Sequence, residues 1–333
     1  MAHCVRPNPD KSGLHKQRGR YTQSHTGGHK IMIHPIYLPF TEQQLLSHFA
    51  DVRQNGECIK NVTHLKYYKQ SIEKYKEYLK KNHNRRGKPL KEMRKPCQVE
   101  KDERFWIVAC MMTIFYSQNR TEELTQLFRN AYGDFPPVKG VESWGECLKG
   151  DLHLFFEVKL PSPEPYKNWL LKHLTERQFI SYVLNSAEGK KNLEGPTNVD
   201  SILLNSKNGF AVIIEAKVLS DISYEITYDT MRNQIARNID VMLEENKGLC
   251  SPLDKRDPEK TLFLLITPKL FKDNPSSRLY GYKFCEYKTN PNSLLNDLPH
   301  RENCDWQNIS NRLGWLTWKD FKDVNKDCCR WLK

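Results

Sequence analysis

GPTNVDSILLNSKNGFAVIIEAK, residues 195–217, holds two apolar runs, 199–205 and 210–218, on either side of Asn208-Gly209. Asparagine followed by glycine tolerates the positive φ of a tight turn, so the stretch predicts a β-hairpin. The register depends on the loop. A two-residue loop sets Asp200 opposite Lys217, and a four-residue loop sets it opposite Glu215. In either register Asp200, Glu215 and Lys217 project from one sheet face, because side chains alternate with period two.

Such a face is costly for a purely structural sheet. Directly opposed Cβ atoms lie about 4.5–5.5 Å apart, and two carboxylates at that separation repel unless a cation lies between them. Hard oxygen ligands suit Mg²⁺ or Mn²⁺. A lysine two positions beyond Glu215 can orient or deprotonate an attacking water and steady charge on a phosphate. An ordinary ion cluster at a sheet end is the structural alternative. The remaining positions are apolar on both faces, with Ile202, Leu204 and Ile213 on one and Leu203, Val212 and Ile214 on the other. Strands of this kind lie inside a sheet covered by helices on both sides.

Asp200 followed by Glu215-Ala216-Lys217 at the end of an apolar strand resembles the PD-(D/E)XK nuclease superfamily, the restriction-endonuclease-like fold. The resemblance implies that Asp200 and Glu215 are the paired acids, that the Ala216 carbonyl shares their metal, and that Lys217 is the motif lysine. Val199 stands where the family name has proline. An acidic residue on a preceding helix often completes such sites; Glu176 is preferred here over Glu188 and Glu194. Several branches carry a glutamine motif on the helix after the lysine strand. Gln234 with Arg237 is similar to it, although no tyrosine follows Gln234 by four positions, and Asn238 lies one turn on. The resemblance covers about residues 164–270.

Outward from the hairpin, 224–246 places Tyr228, Met231, Ile235, Ile239 and Met242 at helical spacing, and TLFLLITP from Thr261 reads as a further buried strand. Upstream, 102–120 is apolar most of the way round, as a buried helix is, and 121–131 predicts a second helix ending at Gly133. DLHLFFEVKL, 151–160, alternates as a strand with one buried face, and 166–187 reads as one amphipathic helix. Near the start, Thr41 and Glu42 open a short helix. Towards the end, 280–287 suggests an edge strand and 306–313 a helix stopped by Gly314. Thr317 with Asp320 suits another helix start.

The chain has 333 residues, with 52 Lys+Arg and 40 Asp+Glu. Residues 1–100 hold 20 basic and 8 acidic side chains, so 20 minus 8 accounts for the entire net charge of +12. A single-sign field at one end argues for an anionic partner, nucleic acid first and a membrane surface second. Residues 60–95 interleave Lys and Arg, including Lys80, Lys81, Arg85 and Arg86, with Tyr67, Tyr68, Tyr75 and Tyr78. The segment suits phosphate neutralisation and base stacking, and equally a solvated helix face followed by a basic linker. No run approaches the roughly 18 apolar residues of a membrane span. The start has no apolar leader, and ten cysteines without a C-x-x-C pair read as free thiols in a reducing compartment. His3, His15, His25, His29 and His34 with Cys4 lie in polar sequence that offers no scaffold for a metal.

The expected fold is α/β, with a mixed central sheet flanked by helices, a restriction-endonuclease-like core, an N-terminal mostly helical region and a basic disordered tail. The expected divisions are a tail at 1–34, a helical region at 35–160 and a nuclease-like domain at 161–333. The expected function is Mg²⁺- or Mn²⁺-dependent hydrolysis of nucleic-acid phosphodiesters, DNA ahead of RNA. The alternative is a catalytically silent module of the same fold that binds nucleic acid or a protein partner. Asp200, Glu215, Lys217 and Gln234 are the expected catalytic residues, and Asp200, Glu215, Ala216 and Glu176 the expected metal ligands. Arg237, Asn238, Lys80, Lys81, Arg85 and Arg86 are expected to contact substrate. The protein is expected to be intracellular, cytoplasmic or, in a eukaryote, nuclear, with no membrane partner. Its oligomeric state, homodimer included, stays open.

Overall fold

The computed structural model describes residues 40–62, 65, 101–222, 227–245, 248–329 and 331–332. The tail at 1–34 and Lys80, Lys81, Arg85 and Arg86 lie outside the described residues. A small antiparallel hairpin, β1 (Asp51–Gln54) and β2 (Glu57–Lys60), precedes a five-stranded sheet. That sheet holds β3 (Leu152–Leu160), β4 (Thr197–Asn205), β5 (Ala211–Ala216), β6 (Thr261–Thr267) and β7 (Leu313–Thr317), side by side in chain order. β4 runs antiparallel to both neighbours, whereas β5, β6 and β7 are parallel, so the sheet is mixed.

The hairpin takes the longer loop. Asn205 N–H donates to Phe210 O at 2.8 Å and Gly209 N–H to Asn205 O at 2.9 Å, while Gly209 supplies φ +77° at no steric cost. Ser201 therefore pairs with Ile214 and Leu204 with Ala211, and the same register brings Asp200 opposite Glu215.

Helices cover both faces. On one side, α2 (Glu103–Phe115), α3 (Arg120–Tyr132) and α8 (Trp318–Val324) enclose Leu154, Leu203, Val212 and Leu264 together with Trp106, Met112, Phe128 and Trp318. On the other, α5 (Gln234–Met242), α6 (Leu279–Thr289) and α7 (Trp306–Asn311) bury Ile202, Ile213, Phe263 and Leu265 against Ile235, Ile239, Phe284 and Trp306. Each such fully buried side chain stabilises the fold by about 1.5–3 kcal/mol. Of two further helices, α1 (Glu42–Ser47) precedes the sheet in sequence and α4 (Glu164–Lys172) lies between β3 and β4. Where α3 crosses β7 the approach is so close that a Cβ at Gly314 would stand 2.4 Å from Tyr132 Cζ. The Tyr132 hydroxyl donates to Phe263 O at 2.8 Å, which fixes the ring in that position.

Several expectations change. β3 pairs with β4 along nearly its whole length and α2 shares the sheet's core, so the division expected at 160 falls inside one compact unit, Ile36–Lys333. β3 is buried on both faces rather than one. The single helix expected over 166–187 breaks into Glu164–Lys172, Leu174–Arg177 and Ser181–Ala187. Gln178 causes the last break: its side chain accepts from Phe179 N–H and Ile180 N–H at 3.0 Å each and donates to Thr227 O at 2.6 Å. Among the described residues of 224–246 the expected helix is confined to α5, because Asp229 turns the chain first, accepting from Met231 N–H at 3.0 Å and Arg232 N–H at 3.2 Å. The segment 280–287 is helical, not an edge strand. The Asp221 carboxylate accepts the Leu279 and Tyr280 N–H groups at 2.8 and 3.2 Å and so caps α6 from a distant loop. Gly314 lies within β7 instead of stopping a helix. The ten cysteines are not all free, for Cys58 and Cys250 form a disulfide.

Candidate active site

Asp200, Glu215 and Lys217 meet where β5 ends. Beyond Ser201 the two strands exchange a different bond: Ala216 N–H donates to Asp200 Oδ2 at 2.7 Å. Glu215 is fully buried, and three donors hold it. Lys217 Nζ reaches its Oε1 at 2.6 Å, Gln234 Nε2 the same oxygen at 2.7 Å, and Asn238 Nδ2 donates to Oε2 at 2.9 Å. The lysine backbone is pinned as well. Its N–H donates to Ile266 O at 2.9 Å, and its carbonyl accepts from Trp318 Nε1 at 2.9 Å.

Two acids not foreseen from the sequence complete the cluster. Glu103, in the first turn of α2, places Oε1 3.8 Å from Lys217 Nζ and accepts from Ser220 Oγ through Oε2. Glu157 sits opposite Asp200 on β3, between the pairs Phe156–Ser201 and Val158–Val199. Its φ of 53° is left-handed, a conformation that costs a non-glycine residue about 1 kcal/mol or more and gathers at functional sites. That twist turns a buried carboxylate towards the cluster, and Asn198 Nδ2 donates to its Oε2 at 2.7 Å.

The electrostatics follow from this crowding. Burial and the neighbouring Glu215 hold the Asp200 carboxyl well above the usual carboxylate range, and Glu157 and Glu103 push the same way against the opposing pull of Lys217. Burial alone would lower the Lys217 ammonium. Glu215, Asp200 and Glu103 outweigh it, and its pKa rises above the ordinary lysine value. The ammonium therefore stays charged at neutral pH and acts as a cation rather than a proton acceptor.

The other expected residues separate into two groups. Gln234 and Asn238 stand in the cluster. Arg237 instead donates through Nε to Glu194 Oε1 at 2.8 Å and through its η nitrogen to the Gly195 and Pro196 carbonyls at 3.3 Å, tying α5 to the 194–196 loop. Glu176 is exposed and pairs with His173 Nδ1 at 3.1 Å. Glu188 is exposed too, and Glu194 is committed to Arg232 and Arg237. Glu103 thus stands where the sequence reading sought Glu176. α5 itself is anchored by a buried network. Arg232 pairs with Asp240 at 2.7 Å and Glu194 at 3.1 Å and lies 3.5 Å over the Tyr166 ring, and Asp240 also meets His300 at 3.0 Å.

Asp200, Glu215 and Glu103 crowd the Lys217 ammonium, and Asp200 Oδ1 accepts no hydrogen bond among the described residues. This surplus of hard oxygen donors fits a divalent cation. Among the described residues no three His, Cys, Asp or Glu side chains already stand in ligating geometry, so a cation would compete with Lys217 for Glu215. Among the described residues no helix is long and apolar enough to cross a membrane. Compared with protein-family models, curated proteins and solved structures, the chain finds no match.

Proposed function

We propose that the chain is a divalent-metal-dependent phosphodiesterase acting on nucleic acid, a nuclease of PD-(D/E)XK type. The observation that carries this reading is the convergence of Asp200, Glu215, Lys217 and Glu103 on one end of a mixed, helix-flanked sheet. The acids come from adjacent hairpin strands and from a preceding helix, as the family pattern has them. Asp200, Glu215 and the Ala216 carbonyl would hold Mg²⁺ or Mn²⁺, with Glu103 taking the place first given to Glu176. When bound, the metal supplies charge stabilisation to the phosphate and lowers the pKa of water. Lys217 contributes a fixed positive charge that orients the attacking water and steadies the phosphate oxygens. Gln234 and Asn238 keep Glu215 in one orientation, so the site is organised before substrate arrives.

Purified protein incubated with single- and double-stranded DNA and RNA in Mg²⁺ or Mn²⁺ tests the reading. Wild type is expected to cut at least one of them and Lys217→Ala to cut none; equal background cleavage by the two removes it. One observation favours a silent binding module instead: both Glu215 oxygens are already engaged. Failure of Mg²⁺ to raise the melting temperature, together with binding that ignores metal, would select the module.

A further inference from the structure

On the far side of α2 from its opening turn, Cys110 meets a turn over residues 326–329 that follows α8. Cys110 Sγ lies 3.1 Å from Cys329 Sγ, and both side chains are fully buried although 219 positions separate them. A disulfide bond measures about 2.05 Å, so the two sulfurs stand roughly 1 Å from bonding distance. Cys328 has a different partner: its thiol donates to Cys110 O at 3.6 Å.

The contact is held by bonds that do not involve the thiols. Cys329 has φ 51°, a left-handed conformation that a non-glycine residue keeps only where its surroundings impose it. Leu332 N–H donates to Cys329 O at 2.8 Å and Cys328 N–H to Asn325 O at 2.9 Å. Asn325 Nδ2 in turn reaches both Glu123 oxygens, on α3, at 3.0 and 3.1 Å. Trp331 packs edge-on against Trp106 of α2, with ring centroids 5.2 Å apart. The Cys58–Cys250 disulfide shows that thiols of this chain are oxidised in the folded protein.

We propose that Cys110 and Cys329 are a second disulfide site, closed by exchange with a low-molecular-weight disulfide. The inference does not depend on the nuclease reading. Burial holds the Cys110 thiol well above its ordinary pKa, and the Cys328 and Cys329 thiols push the same way, so with the turn closed it stays protonated and unreactive. Exchange begins when the turn opens, which costs less than opening the helices and strands of the core. The Cys329 thiolate attacks the oxidant, forming a mixed disulfide and expelling one thiolate. The Cys110 thiolate then attacks Cys329 Sγ, the Cys110–Cys329 bond forms, and the second thiolate of the oxidant leaves. The two protons given up by the cysteines pass to the two leaving thiolates, so one disulfide is reduced to two thiols as the other is made. Closure fastens the turn to the helix whose first turn carries Glu103. It also steadies Trp106, 5.3 Å from the Trp318 ring that donates to the Lys217 carbonyl.

Peptide mapping of the full chain tests this. Folded protein is treated with oxidised glutathione, quenched with acid, alkylated on unfolding and digested with trypsin without reductant. Wild type and Cys328→Ala are expected to yield residues 105–120 joined to 327–330, two hydrogens lighter than the separate peptides, and Cys329→Ala to yield no such product. Treatment should also raise the melting temperature of wild type and Cys328→Ala by about 5 °C or more and leave Cys329→Ala unmoved. Three results overturn the proposal: no joined peptide from folded wild type, a joined peptide that survives Cys329→Ala, or one that forms only when the oxidant is added in urea.

Discussion

Lys217 Nζ lies 2.6 Å from Glu215 Oε1, with both side chains almost wholly buried, so removing the ammonium strands the Glu215 charge. Removing one member of a buried pair typically costs about 3–5 kcal/mol, because the remaining charge is left in a poor solvent. Lys217→Met is therefore expected to lower stability by that order in EDTA, read by urea denaturation. Lys217→Met combined with Glu215→Gln should recover most of the loss, since the double variant strands no charge at that pair. A double variant no more stable than the single one would refute the pairing argument.

The pH dependence of Asp200 runs in the opposite sense to most carboxylates. Its folded pKa is raised above the unfolded value of about 3.9, so its favourable contribution is complete below about pH 4 and is lost as pH rises through the folded value. Above the folded value the ionised side chain is a burden that a metal would relieve. Asp200→Asn keeps an acceptor for the Ala216 N–H and removes the repulsion. Its melting temperature at pH 7–8 in EDTA is expected to exceed wild type by a few degrees, with the gap closing near pH 4. Mg²⁺ should raise the melting point of wild type and leave the variant unmoved. A variant that melts below wild type at every pH contradicts the crowding described here.

The hairpin and its three motif residues were legible because the signal is local: a turn dipeptide, two apolar runs and polar residues that the hairpin register puts on one face. Other parts of the site depend on contacts that no local pattern carries. Glu103 opens a helix far upstream, and only the packing of α2 on the sheet brings it to Lys217. Glu157 is hidden by its strand, because a left-handed residue inside an apolar run breaks the alternation by which faces are assigned. α6, rich in aromatic residues that suit strands, becomes helical through a cap from Asp221. The Cys58–Cys250 pair spans a sequence separation of 192 and joins the β1–β2 hairpin to the loop after α5, so spacing rules for cysteines do not reach it.

The exchange of one helix acid for another has a direct consequence. Glu103 lies within 3.8 Å of the Lys217 ammonium, whereas Glu176 is exposed and occupied with His173. Glu103→Gln is expected to reduce metal-dependent cleavage about tenfold or more and to weaken the Mg²⁺ dependence of the rate. Glu176→Gln should stay within about twofold of wild type. Initial rates over a Mg²⁺ titration separate the two, and the opposite ranking would return the role to Glu176.

Asp240 titrates in the ordinary direction and ties part of the fold's stability to pH. Burial alone would raise its pKa, but Arg232, the His300 hydrogen bond and Arg301 outweigh that and hold it well below the usual carboxylate range. A depressed folded pKa means that the stabilisation is present above the unfolded value of about 3.9 and is lost as pH falls through the folded one. Asp240→Asn should therefore cost about 3–5 kcal/mol at pH 7, where it leaves the buried Arg232 with Glu194 as its remaining acidic partner, and much less near pH 2. Because Asp240 lies on α5, two residues beyond Asn238, the same change should loosen the hold on Glu215 and lower the cleavage rate even where the protein is still folded. Guanidinium denaturation between pH 2 and 7, paired with rates at neutral pH, measures both effects. A stability difference that is constant across that range would show that Asp240 does not act through its charge.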